Sequence, residues 1–184
     1  MNLPNSLTLL RILLVPFFVL FFSFPYFRTP EGSILLVLFF LAISLTDLVD
    51  GYLARKRSQV TLLGKFLDPV ADKVLVISVL DLLVEEGRIP SWMAIIIISR
   101  DFIVTGFRLI ASHEGIVISA ESFGKYKMVF QIISICFLIL IAEAQFYFYE
   151  IGITFLIVSI FLSLYSAGQY LIKYGVRMEL IKAQ

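Results

Sequence analysis

Six apolar stretches, each separated from the next by a short polar or Gly/Pro-bearing break, constrain this chain more than any other feature. They run over 12–26, 34–53, 70–84, 92–111, 128–141 and 151–172. Most are near the ~20 residues a helix needs to cross a hydrocarbon layer. The breaks at 28–32, 56–65, 85–90, 112–127 and 143–150 contain no long linker, repeat or low-complexity tract. Composition points the same way. Of the 184 residues, 60% are hydrophobic and 16% charged, and the mean hydropathy is +0.97, whereas a soluble domain is about half apolar and about a quarter charged. The expected fold is an all-α integral membrane bundle of six transmembrane helices, one domain over 1–184, opened by a short interfacial helix at residues 2–11. No small-residue cleavage site follows the first stretch, so it is expected to stay in place as a span.

Few other chemistries fit the composition. The net charge of +1 gives no basis for nucleic-acid binding. His113 is the only histidine and Cys136 the only cysteine, which rules out a zinc site of the usual kind. Cys136 lies in an apolar run and reads as a small packed hydrophobe. Any bound metal must be a hard, oxygen-ligated cation.

The exceptions to the apolar pattern are acids. Asp47 and Asp50 lie near the end of the second stretch, and Asp68 and Asp72 near the start of the third. An intramembrane charge costs about 2.5 kcal/mol or more at the bilayer centre and less towards the interface, so such acids should face a cavity or the bundle interior. Asp47 and Asp50 are spaced i,i+3 and share a helix face, which Gly51 and Ala54 continue; Gly64, Asp68 and Asp72 form an i,i+4 row. Neighbouring antiparallel helices bring four such carboxylates together, and small residues leave the wall open. Mutual repulsion would raise their pKa values. Two divalent cations, Mg²⁺ or Mn²⁺, relieve it, and paired metals are a common device for displacement at phosphorus. Taken singly, each acid has a plainer reading; Asp68, preceding Pro69, could be a helix N-cap.

Asp47, Asp50, Gly51, Ala54 and Arg55, followed by Gly64, Asp68 and Asp72 at these spacings, resemble the complete motif of the CDP-alcohol phosphotransferases. The opening residues 4–11, the run Val104, Thr105, Gly106, Phe107 and Arg108, and the run Ser122 to Lys127 with Gln131 resemble the bacterial phosphatidylglycerophosphate synthases of that family. Met128 departs from them, standing where they commonly carry threonine. Ser99, Arg100 and Asp101 also resemble cardiolipin synthases. The resemblance implies a homodimeric six-helix membrane enzyme that transfers the phosphatidyl group of CDP-diacylglycerol to glycerol 3-phosphate, releasing CMP. It implies that Asp47, Asp50, Asp68 and Asp72 bind metal, with Asp72 also the general base. Gly51, Ala54 and Arg55, grouped with Gly64, would line the CDP-lipid site. The acceptor phosphate needs cations apart from the metals; Arg100, Arg108, Lys125 and Lys127 are the candidates, and Ser122 is a further phosphate-binding candidate.

These basic residues have other readings. Arg100, preceded by an apolar run, could pair with an acid of the bundle; Asp101, its neighbour, is expected to point elsewhere on the helix. Arg108, Lys125 and Lys127 could simply follow the positive-inside rule, and Arg55, Lys56 and Arg57 could anchor anionic lipid. Acids within a bundle also suit a divalent-cation channel or transporter, but such a path would spread them across the membrane. A membrane prenyltransferase has acidic motifs of different spacing. Within the family, phosphatidylserine, phosphatidylinositol phosphate and cardiolipin synthases remain alternatives.

Ten basic residues mark one set of alternate loops: Arg55, Lys56, Arg57, Lys65, Arg108, Lys125, Lys127, Lys173, Arg177 and Lys182. Only Arg28 and Arg88 mark the other. This places both termini and the acidic site on the cytoplasmic side of a bacterial inner membrane. A reporter fused after Gln184 is expected to be cytoplasmic; labelling it from outside the cell would mean an inverted bundle or an odd number of spans.

Overall fold

The computed structural model describes the backbone of residues 3–57, 62–113, 122–141 and 145–182, and side chains within 9–46, 71, 73–110, 126–141 and 145–172. The regular structure of these residues is helical throughout: α1 (Leu3–Ser23), α2 (Pro30–Arg57), α3 (Leu62–Glu85), α4 (Ser91–His113), α5 (Ser122–Ile139) and α6 (Gln145–Lys182), with a 3₁₀ turn at Pro25–Arg28. Each apolar stretch falls mainly on one helix, though 12–26 runs on into the 3₁₀ turn and 128–141 two residues past α5. Among the described residues one stretch, Gln145–Ile172, is long and apolar enough to cross a membrane by itself, and shorter apolar helices cover Leu9–Ser23, Pro30–Thr46 and Tyr126–Ile139.

Two local expectations change. The opening residues form no separate interfacial helix but the first turns of α1. Pro4 sits in the first turn, where a missing N–H is tolerated, and no breaker follows before the apolar run. Arg11 is buried, its Nε donating to Thr46 Oγ1 of α2 at 3.3 Å. Asp68 is no N-cap, because α3 begins at Leu62 and runs on through Pro69.

Helix ends follow local chemistry. Thr29 precedes Pro30 at the start of α2, and its Oγ1 accepts from the Gly32 N–H at 3.2 Å, an N-cap with proline at the first helical position. At the end of α3, Gly87 takes φ +68°. The Gly87 N–H then donates to the Val84 carbonyl and the Arg88 N–H to the Leu83 carbonyl, closing the helix as a left-handed glycine cap.

The next residue stitches this rim together. Arg88 donates from Nη1 to the carbonyls of Leu138 and Ile139 at 2.6 and 3.1 Å, satisfying the end of α5. Burial lowers the Arg88 pKa below its usual value; nearby Glu86 opposes the shift and Arg28 adds to it. Glu86 in turn pairs with Arg28 at 2.6 Å.

α3 is the central helix. Of its described side chains only Asp81 and Glu85 are exposed, and it packs on α1, α4 and α5 as well as α2. The other helices turn large apolar residues outward, among them Leu13, Leu38, Ile95, Val129 and Phe161, a surface suited to lipid. The core between them holds Phe18, Phe40, Leu80, Leu83, Ile97, Ile135 and Leu156, all essentially inaccessible.

α5 and α6 form the most extensive helix pair, and they meet closely at Gly152. A Cβ there would stand 2.8 Å from Leu138 Cγ and 3.3 Å from its backbone nitrogen. Gly152→Val is therefore expected to destabilise the protein by about 1–3 kcal/mol through overpacking, read as a lower melting temperature in detergent. Gly168→Ala, with nothing within 4 Å of the added methyl, is the control and should leave melting unchanged or slightly raised.

Candidate active site

The acidic residues are placed by helix register. Asp47, Asp50, Gly51, Ala54 and Arg55 lie in the closing turns of α2, and Gly64, Asp68 and Asp72 in the opening turns of α3. Asp50 and Asp68 stand seven and six residues from the facing helix ends, and Asp47 and Asp72 each stand ten. At about 1.5 Å per residue, the four fall at two matching depths. Their side chains, with those of Gly51, Ala54, Arg55, Gly64, Ser122 and Lys125, lie outside the described residues. Among the described residues no group of three or more potential metal-ligating side chains occurs.

Register ties the acids to a cavity. A space of about 270 Å³ opens between α3, α4, α5 and α6. Each helix lines it with side chains at i,i+3 or i,i+4 spacing: Lys73, Val76 and Ile77 from α3; Ile97, Arg100, Asp101, Val104, Thr105 and Arg108 from α4; Lys127, Met128 and Gln131 from α5; Ser166 and Tyr170 from α6. Asp68 and Asp72 share the helix row of Val76. A second space of about 20 Å³ adjoins, lined by Arg11, Ser44, Leu75, Val76, Met128, Gln131 and Ile132. Ser44 is three residues before Asp47, so that row of α2 also leads here. Val76 and Ser44, which line these spaces, stand four residues after Asp72 and three before Asp47 in the chain.

Among the described residues the larger cavity is basic, with Lys73, Arg100, Arg108 and Lys127 beside the carboxylate of Asp101. Its volume is below the ~300–1,000 Å³ of sites for drug-sized ligands, a size suited to a small anion rather than a diacyl lipid.

Asp101 organises this wall, contrary to the expectation that it points away. Its Oδ1 accepts from Arg100 Nη1 at 3.0 Å and pairs with the Lys127 ammonium. Adjacent helix positions differ by about 100°, but the long Arg100 side chain swings back to meet its neighbour. Arg100 also donates from Nε to the Ser163 carbonyl of α6 at 2.9 Å. Lys73 donates to the Asp101 carbonyl at 3.2 Å and to Thr105 Oγ1, which donates to the same carbonyl at 2.8 Å. The Arg108 guanidinium lies 5.6 Å from the centre of the Tyr170 ring, within cation–π range.

Lys127 also differs from its loop assignment. It is buried inside α5, which begins five residues earlier at Ser122. The sequence reading also passed over Lys73 as a site residue. The signal was present, a lysine within an apolar stretch next to Asp72, and the cost of intramembrane charge would have singled it out.

Two buried polar side chains of the described residues, Gln131 and Ser163, each have an atom without a hydrogen-bond partner. The Gln131 carboxamide makes no hydrogen bond to any described residue, and its Nε2 is fully enclosed. Such a buried donor costs about 1–3 kcal/mol.

The ion pair has a direct test. Asp101→Ala is expected to lower stability by about 1.5–3 kcal/mol, because it strands two charged donors. Asp101→Ala with Lys127→Met should cost at least ~1 kcal/mol less than the two single changes added together. Additive losses in chemical unfolding would show that the pair is not coupled.

A family model described as CDP-alcohol phosphatidyltransferase matches residues 1–167. The chain is 44% identical over 148 residues to the CDP-diacylglycerol--glycerol-3-phosphate 3-phosphatidyltransferase of Bacillus subtilis, covering 76% of this chain and 77% of that protein. The protein of the same name from Haemophilus influenzae is 42% identical, covering 73% of each chain. That from Shigella flexneri is 35% identical over 175 residues, covering 92% of this chain and 93% of its own length.

Proposed function

The chain belongs to the CDP-alcohol phosphatidyltransferase family, and from that premise we propose that it transfers the phosphatidyl group of CDP-diacylglycerol to glycerol 3-phosphate. The products are phosphatidylglycerophosphate and CMP. The observation that carries the reading is the small cavity lined by Lys73, Arg100, Arg108 and Lys127 among the described residues, on the helix α3 whose opening turns carry Asp68 and Asp72. The relatives' names, over most of their lengths, support the same substrates.

The donor set fits hard divalent cations, being four carboxylates and no nitrogen or sulfur ligand. Asp47, Asp50, Asp68 and Asp72 would hold two ions, Mg²⁺ or Mn²⁺, which when bound supply charge neutralisation at the diphosphate and at the departing CMP. Gly51, Ala54 and Gly64 leave room for the CDP group, and Arg55 reaches its phosphates. The basic cavity takes the phosphate of the acceptor, with Arg100, Arg108 and Lys127 joined by Ser122 and Lys125. So held, the acceptor hydroxyl is kept near the acids, which lowers the entropic cost of attack.

In the transfer, the hydroxyl oxygen bonds to the phosphorus bearing the diacylglycerol. The bond from that phosphorus to CMP breaks, and CMP leaves with the electron pair. Asp72 accepts the hydroxyl proton as attack proceeds. The enzyme sits in the bacterial cytoplasmic membrane as a six-span homodimer, its site opening to the cytoplasm. Donor tails then stay in lipid while the head meets a water-soluble acceptor.

Two classes of variant should separate. Asp72→Asn is expected to lower kcat by about 10²–10⁴-fold, the usual worth of a general base, while changing the KM for CDP-diacylglycerol far less. Arg108→Ala should instead raise the KM for glycerol 3-phosphate and leave donor binding nearly intact, with some loss of kcat from poorer orientation. Steady-state kinetics on each substrate decides this. If Asp72→Asn weakened only donor binding, Asp72 would be no base. Chelator should also stop CMP release and added Mg²⁺ or Mn²⁺ restore it; full activity in chelator would remove the metals from the scheme.

A further inference from the structure

Gln131 lies one turn along α5 from Lys127, on the same helix face. It is 4% exposed and lines both cavities, at the boundary it shares with Val76 and Met128. Neither of those neighbours has a strong polar group to pair with it. Its carboxamide makes no hydrogen bond within the described residues and Nε2 is fully enclosed, although buried polar groups are normally satisfied. The missing partner is supplied most simply by a ligand in the cavity.

The chemistry of the wall narrows that ligand. Lys73, Arg100, Arg108 and Lys127 offer donors only, and they suit a phosphate. They respond equally to any small phosphate ester, whatever its other substituents. A carboxamide offers both donors and an acceptor, the complement of a hydroxyl, which also does both. Beside the Thr105, Ser166 and Tyr170 hydroxyls of the same lining, Gln131 is a group here that can tell a polyol phosphate from a simple hydroxyalkyl phosphate.

We propose that Gln131 is a specificity-determining residue that hydrogen-bonds the non-reacting hydroxyl of the acceptor, restricting the cavity to small polyol phosphates. This rests on reading the basic cavity as the acceptor site. The lone carboxamide inside the apolar part of α5 is kept, despite the cost of burying it, because the bound acceptor completes it.

The test compares glycerol 3-phosphate with 3-hydroxypropyl phosphate, which keeps the phosphate and a reacting hydroxyl but lacks the middle one. Turnover of labelled CDP-diacylglycerol is followed with each. The wild-type protein is expected to favour glycerol 3-phosphate by about 10- to 100-fold in kcat/KM, since a site built to bond a hydroxyl rejects its deoxy analogue. Gln131→Met, near in size and unable to make the bond, should shrink that preference to about threefold or less, chiefly through loss on glycerol 3-phosphate. Its KM for CDP-diacylglycerol should stay near the wild-type value. Equal losses on both acceptors would overturn the assignment. So would a wild-type protein that uses both equally well, a result that needs no variant to fold. Turnover of glycerol 3-phosphate without hydroxyl discrimination contradicts this assignment alone. A wild-type protein that ignores glycerol 3-phosphate yet releases CMP with another acceptor contradicts the proposed function and removes this assignment with it.

Discussion

Asp101 carries a carboxylate into the space between α3, α4, α5 and α6, and the basic groups around it are arranged by that charge. Lys127 and Arg100 pair with its side chain, while Lys73 donates to its backbone carbonyl. Arg100 extends the network to α6 through the Ser163 carbonyl. Buried cations are tolerated in an apolar bundle only where donors find acceptors. Among the described residues the cavity wall carries four cations to one acid.

The border between the acidic and basic zones falls between consecutive residues. Asp72 belongs to the acidic row of α3, and Lys73 faces the cavity with Val76 and Ile77. Because α3 is buried along almost all its described length, it can present one zone to α2 and the other to α4. A transferase that brings a metal-bound diphosphate to a phosphorylated alcohol needs such a division, since the two substrates carry like charge and must meet at one phosphorus. The proposed acceptor phosphate is held by side chains, and the proposed donor diphosphate by the carboxylate-bound ions.

Much of this was legible in the chain itself. The six apolar stretches each lie mainly on one helix, and the four aspartates fall in the closing turns of α2 and the opening turns of α3. What the sequence hid were relations that depend on side-chain reach or on small shifts of helix start. Arg100 and Asp101 diverge on an ideal helix, yet a long guanidinium spans the angle. Lys127 read as a loop charge because the apolar stretch begins at Met128, whereas α5 starts at Ser122 and carries the lysine inside. Pro69 suggested a helix start at Asp68, but apolar residues on its N-terminal side, Leu62, Leu63, Phe66 and Leu67, let α3 begin a turn and a half earlier. The unpartnered state of Gln131 depends on packing from three other helices, and no local pattern announces it.

The identity of the acceptor tests the account most directly. Purified protein in detergent or lipid, given labelled CDP-diacylglycerol and Mg²⁺ or Mn²⁺, can be offered glycerol 3-phosphate, serine, inositol phosphate and phosphatidylglycerol in parallel. A small basic cavity beside the acidic rows predicts labelled phosphatidylglycerophosphate with glycerol 3-phosphate, and little product with the others. Cardiolipin from phosphatidylglycerol, with no product from glycerol 3-phosphate, would contradict it.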